Sequence, residues 1–245
     1  MKRFVQIPNG DRTICGELYL PEGESVCPVV IMSHGYNGSA ADFEKEGNFF
    51  AANGVIAIAY DFCGGSAHAK STGASVDMTI FREKEDLLAV LDYMKKMDRA
   101  DQKRIFLFGA SQGGFVTALA GAERKAEVEG LILYFPAFCI PDDWRKRYPE
   151  TDKIPETTEF WGLTLGREYF MSIREFDPYE VIGEFDRSVL IFHGDQDDIV
   201  PLSYSEKAAQ VYTKAELKVL KNEGHGFSEE AGKKAAEAAL QWINR

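Results

Sequence analysis

Cysteine is scarce in this chain of 245 residues: Cys15, Cys27, Cys63 and Cys139 are the only four, and no two form a C-x-x-C pair. Reduced thiols in a cytoplasmic protein are therefore expected. The segment after Met1 lacks the apolar stretch of a secretory signal. No apolar run approaches the roughly 18 to 20 residues that cross a bilayer, so no membrane span is expected. Basic charge is short as well, with 28 Lys and Arg against 39 Asp and Glu and a net charge of -11. Such a chain gains nothing from counterion release or from an anionic surface, so neither nucleic acid nor membrane is expected as a partner. Glycine and proline, at 22 and 9 residues, are too few for a disordered or fibrous chain. Internal repeats and low-complexity linkers are absent. No H-E-x-x-H, no Walker loop and no G-x-G-x-x-G opening a helix after a strand occurs, and no metal or organic cofactor is expected.

What is present is an ordinary globular composition, 45% hydrophobic and 27% charged, long enough for one α/β domain. Phe4 to Ile7 and Thr13 to Leu20 flank Asn9-Gly10, which predicts an opening antiparallel hairpin. Continuous apolar runs then predict buried strands over Pro28 to Ser33, Val55 to Tyr60, Arg104 to Phe108, Leu131 to Phe135, Val189 to Phe192 and Leu217 to Leu220. Helical patterns stand between them, over Asp42 to Ala52, Phe81 to Met94, the segment after Ser111, Pro201 to Val211 and Ala231 to Asn244. The alternation predicts an α/β fold with a mostly parallel, eight-stranded sheet covered by helices on both faces. The rhythm breaks between 136 and 188, in a segment rich in proline and aromatics. The expected organisation is a core of 1–135 and 189–245 with 136–188 inserted as a lid.

The chain is organised around Gly109-Ala110-Ser111-Gln112-Gly113, a G-x-S-x-G pentad after an apolar strand and before a small-residue helix. That context predicts a nucleophile elbow, which puts the Ser111 hydroxyl at a helix N-terminus. A serine needs a histidine base and an acid to orient it. Of the four histidines, His34 and His193 each follow a buried strand in a His-Gly turn, and His68 lies in a loop without a motif. His225, between Gly224 and Gly226 after the last strand, is the expected base. The loop His193-Gly194-Asp195-Gln196-Asp197-Asp198 offers three acids. Asp197 is preferred, with Asp195 and Asp198 open as rivals or as turn and cap residues. The order Ser111, Asp197, His225 places each candidate after a separate strand.

Gly109 to Gly113, His193-Gly194-x-x-Asp197-x-x-Val200-Pro201 and Gly224-His225-Gly226-Phe227 resemble the α/β-hydrolase superfamily over nearly the whole chain. Tyr60-Asp61-Phe62-Cys63-Gly64-Gly65-Ser66, the elbow and Leu163-Thr164-Leu165-Gly166 more narrowly resemble bacterial cinnamoyl (feruloyl) esterases. The resemblance implies a cofactor-free serine esterase acting on small hydroxycinnamate esters. It implies an oxyanion hole made by the backbone N–H groups of Tyr36 and Gln112, positions that the mechanics of an elbow also favour. It further implies that Asp143, beside Asp142, and Tyr169 contact the phenolic hydroxyl of the acyl group from the lid. Trp144, Tyr148, Phe160, Trp161 and Phe170 either line a pocket or pack the lid. A short-chain carboxylesterase would share every catalytic residue. A serine peptidase of the oligopeptidase type uses this fold but carries a propeller for which the chain has no room. A hydrolase-fold binding protein is the third alternative, opposed by the complete triad.

Overall fold

Val29, Val30, Ile31 and Met32 are all fully buried, so their strand needs neighbours on both edges and a layer on each face. The computed structural model, which describes residues 1–245, supplies both. That strand, β3 (Cys27–Ser33), lies between β4 (Ile56–Tyr60) and β5 (Ala100–Ala110) and is parallel to each. Outward on one side come β2 (Arg12–Tyr19) and β1 (Lys2–Asn9), the predicted hairpin, with β2 antiparallel to β4. On the other side β6 (Gly130–Tyr134), β9 (Ser188–Gly194) and β10 (Ala215–Leu220) continue the parallel run. The eight-stranded order is β1-β2-β4-β3-β5-β6-β9-β10.

Helices cover both faces because each strand between them is apolar on both sides. On one face α1 (Glu44–Ala52) and α8 (Glu229–Ile243) bury Phe50, Ala239 and Trp242 against Phe106 and Phe108. On the other, α2 (Ile80–Met94), α3 (Gln112–Glu123) and α7 (Leu202–Val211) pack over Ile31, Leu107 and Ile191. A turn of 3-10 helix at Ala40–Phe43 precedes α1, and Asp42 Oδ2 accepts the Ser39 N–H at 2.9 Å there. Strand β5 starts earlier than its apolar run, because Ala100 pairs with Cys27 across an irregularity in register. No helix is long and apolar enough to cross a membrane.

Between β6 and β9 lie α4 (Ile140–Arg147), the antiparallel hairpin of β7 (Thr157–Phe160) and β8 (Leu163–Gly166), α5 (Arg167–Ile173) and α6 (Pro178–Ile182). Trp144, Leu165, Tyr169 and Phe170 belong to the same apolar cluster as the α2–α3 face. The segment therefore has no core of its own and takes its shape from the surface it covers.

Candidate active site

Helix α3 is buried from Gln112 to Ala122, so it must approach the sheet closely, and small residues allow it. A Cβ on Gly113 would stand 2.3 Å from the Ser33 and His34 carbonyl oxygens, and one on Gly109 2.2 Å from the Gly113 oxygen. Glycine is obligatory at both positions. Ser111, between β5 and α3, has φ 55° and ψ -121°, a strained backbone that its neighbours hold in place. Its N–H donates to the Tyr134 oxygen at 2.9 Å, and its carbonyl accepts from Gly114 at 2.9 Å, Ala137 at 3.0 Å and Phe115 at 3.2 Å.

The loop after β10 carries His225 to this elbow. Its Nε2 lies 3.0 Å from Ser111 Oγ, and its Nδ1 lies 2.8 Å from Asp197 Oδ2. A carboxylate only accepts, so Nδ1 carries the hydrogen and Nε2 is left to accept from the serine hydroxyl. The ring lies against Phe135, tilted by 55° at 4.5 Å between centroids. Asp197 has a fully buried side chain, and its Oδ1 accepts the N–H groups of Ile199 at 3.0 Å and Val200 at 2.8 Å. Burial alone would raise its pKa; hydrogen bonds from His193, His225 and the Val200 N–H outweigh that and hold the carboxyl well below its ordinary value.

The other two acids of that loop stand away from His225 Nδ1. Asp195 Oδ1 accepts the Asn222 N–H at 2.6 Å, which ties its loop to the one after β10. Asp198 lines a cleft and does not cap α7, whose first flanking residue is Pro201. His34 is buried, its Nε2 accepting the Phe62 N–H at 3.1 Å while Nδ1 donates to the Gly35 oxygen at 2.7 Å. Burial lowers its pKa against that second bond, in keeping with a neutral ring that joins the ends of two loops. His68 is exposed and away from the site.

The loop after β3 passes directly over the serine, where a Cβ on Gly35 would sit 3.8 Å from Ser111 Oγ. The N–H groups of Tyr36 and Gln112 donate to no loop carbonyl or side chain. Their side chains are engaged elsewhere. Tyr36 Oη donates to the Phe160 oxygen at 2.6 Å, and Asn37 Nδ2 to the Trp161 oxygen at 3.1 Å, so this loop grips the β7–β8 hairpin. Gln112 Oε1 accepts from Tyr169 Oη at 2.6 Å. Its Nε2 reaches both carboxyl oxygens of Glu83, at 2.9 and 2.8 Å. Sequence reasoning missed Glu83, yet the register Ile80, Glu83, Leu87, Val90, Leu91, Met94 places it on the buried stripe of α2.

Two clefts meet at Ser111. One, of about 690 Å³, runs between α1 and the His225 loop, past Glu46, Phe49 and Phe227. The other, of about 560 Å³, runs under the segment 136–188 past Trp144, Phe160 and Tyr169, with Asp143 at its wall. Asp143 is exposed, while Asp142 beside it accepts from Tyr204 Oη at 2.7 Å and pairs with Arg145. Tyr169 is 1% exposed. No group of three or more His, Cys, Asp or Glu side chains is arranged to hold a metal ion.

The fold has many relatives. Est1E from Butyrivibrio proteoclasticus, in a structure with ferulic acid bound, superposes with a TM-score of 0.87 at 26% identity, covering 98% of this chain and 100% of that one. Caffeoylshikimate esterase from Arabidopsis thaliana is 30% identical over 147 residues, 59% of this chain and 43% of that protein. An uncharacterized Bacillus subtilis protein, YqkD, is 25% identical over 186 residues, 73% of this chain and 58% of that protein. The chain thus spans about half the length of the curated relatives it matches. The model of the prolyl oligopeptidase family matches residues 41–245. With its mostly parallel sheet flanked by helices, the chain has the α/β-hydrolase fold and belongs to the prolyl oligopeptidase family.

Proposed function

We propose that the chain is a serine esterase that hydrolyses hydroxycinnamate esters through an acyl-enzyme. The observation that carries this reading is the unbroken path from Ser111 Oγ to His225 Nε2 at 3.0 Å and from His225 Nδ1 to Asp197 Oδ2 at 2.8 Å, at the junction of two clefts. His225 takes the serine proton as Oγ attacks the ester carbonyl, and Asp197 stabilises the imidazolium that forms. The oxyanion is held by the N–H groups of Tyr36 and Gln112, each donor of this kind being worth about 3 to 4 kcal/mol in a dry site. His225 then protonates the departing alcohol, and water repeats the sequence on the acyl-enzyme.

The lid cleft, walled by Trp144, Phe160 and Tyr169, has the flat aromatic character suited to a cinnamoyl ring. At its wall Asp143 offers a carboxylate to a ring hydroxyl. Tyr169 offers only its oxygen, since its hydrogen is given to Gln112. The likeness to Est1E, which binds ferulic acid, supports the same acyl class. The alcohol then faces the cleft beside His225, the residue that must protonate it. A broad short-chain esterase differs only in that preference, and a peptidase in its leaving group.

A hydrolysis panel tests all three readings: methyl ferulate and methyl cinnamate, para-nitrophenyl butyrate, and a chromogenic peptide. The expected order of kcat/KM puts methyl ferulate first. Preference for butyrate would make the chain a general carboxylesterase, and cleavage of the peptide alone would make it a peptidase. Fluorophosphonate labelling of Ser111 checks the nucleophile independently, because a binding protein has no activated serine to modify.

A further inference from the structure

Behind the elbow, on α2, lies a carboxylic acid without a cation. Glu83 is 1% exposed, and no lysine, arginine or histidine pairs with it. Burial pushes its pKa well above the carboxylate range; the Gln112 hydrogen bond opposes this and nearby Asp86 adds to it. An isolated buried carboxyl is costly, so its retention calls for a task. The turn above it is shaped to fit, since a Cβ on Gly65 would stand 2.6 Å from Phe62 Cβ and 3.2 Å from Glu83 Oε1.

Gln112 is bound at both ends of its amide. Tyr169 Oη donates to Oε1 at 2.6 Å, while Nε2 donates to Glu83 at 2.9 and 2.8 Å. Tyr169 belongs to α5, over the cleft; Glu83 belongs to α2, beneath the elbow. The residue held between them is the first of α3, whose backbone N–H adjoins the nucleophile. We propose that Glu83 is a positioning residue which, through the Gln112 side chain, fixes the N–H that meets the oxyanion and ties it to Tyr169 of the lid. Without the carboxyl, the buried amide hydrogens have no acceptor, and Gln112 rotates to recover one at the expense of its backbone placement. Since the oxyanion forms only in the transition state, the loss falls on turnover and spares substrate binding. The role of Glu83 rests on the acyl-transfer reading of Ser111, which fluorophosphonate labelling of the wild type tests separately.

The experiment is steady-state kinetics on methyl ferulate and methyl cinnamate with wild type, Glu83→Leu, Glu83→Gln, Gln112→Ala and the Glu83→Leu/Gln112→Ala double variant. Glu83→Leu is expected to lower kcat by about 10- to 100-fold on both esters, with KM changed by no more than about twofold. Glu83→Gln keeps a carbonyl acceptor toward Gln112 and retains activity within about threefold. The double variant is no worse than Gln112→Ala alone, because both changes break one chain. A trifluoromethyl ketone, which forms a tetrahedral adduct on the serine, binds Glu83→Leu more weakly by the same factor as the loss in kcat/KM. Losses that multiply in the double variant, a loss confined to KM, or a Glu83→Gln as impaired as Glu83→Leu would overturn the proposal. If Glu83→Leu does not fold, the remaining pair decides: Gln112→Ala must lower kcat and Glu83→Gln must not.

Discussion

His193 Nε2 lies 3.3 Å from Asp197 Oδ2, with both side chains fully buried. The same oxygen accepts from His225. His193 is itself anchored, its Nε2 lying 2.8 Å from the Val200 oxygen and its Nδ1 2.7 Å from Ser205 Oγ. Its imidazole therefore backs the Asp197 carboxylate, while the Ile199 and Val200 N–H groups hold the other oxygen.

Removing His193 takes away a ring nitrogen 3.3 Å from the carboxylate together with its anchor on the Val200 oxygen. His193→Asn is expected to lower kcat/KM by about 10- to 100-fold, the kinetic equivalent of about 1.4 to 2.7 kcal/mol. Esterase assays on purified variant, with circular dichroism to show that it is folded, make the check. Unchanged kcat/KM would leave His193 a packing residue only.

Ser111 stores strain at φ 55°. Ser111→Gly relieves it, offset in part by the entropy of an added glycine, so thermal unfolding is expected to shift upward by a few degrees. Turnover falls by about 10⁴-fold or more, because the remaining oxyanion donors do not replace a nucleophile. A scan and an assay on the same preparation test both halves.

Stability should carry the signature of Glu83. Its pKa in the folded chain is raised, whereas an unfolded glutamate releases its proton near about 4.3. Above that pH the folded state binds more protons than the unfolded one, so this contribution is complete below about 4.3 and is lost as pH rises through the folded value. Glu83→Gln has no proton to lose. Urea midpoints measured from pH 4.5 to 8 should decline more in wild type than in the variant, and parallel curves would show an unshifted carboxyl.

Asp143 stands at the lid cleft beside the Cys139 thiol and without an ion pair, while Asp142 is occupied by Tyr204 and Arg145. Asp143→Asn should weaken kcat/KM by about 1 to 3 kcal/mol for methyl ferulate and leave methyl cinnamate nearly unchanged. Equal losses on the two esters would mean that this residue shapes the lid without reading the ring hydroxyl.

The buried strands were legible because Val, Ile, Leu and Phe stand in unbroken runs, and G-x-S-x-G marked the crossing from β5 to α3. The short elements of 136–188 were not, since helices of five to eight residues and a hairpin of two four-residue strands owe their form to the cluster beneath them. Chain order admitted Asp195, Asp197 and Asp198 alike, and only the resemblance of His193-Gly194-x-x-Asp197-x-x-Val200-Pro201 to the superfamily pattern favoured Asp197; its second partner was hidden, because a His-Gly turn explained His193 well enough by itself. Glu83 escaped because a glutamate in an amphipathic helix reads as solvated unless its register is set against Leu87 and Leu91. The oligopeptidase relationship was read as a weak alternative on activity; as family membership it holds for residues 41–245.

The loop bearing His225 follows β10, an edge strand whose sole partner is β9, and Ser111 lies 114 positions earlier in the chain. Contacts so distant in sequence close late when a chain refolds, and edge elements are the first to fray. Recovery of turnover should therefore lag behind recovery of helical signal after dilution from denaturant. On heating, inactivation should precede the collapse of the central strands. An assay of this chain reports the docking of its last strand more sensitively than any spectroscopic measure of its core.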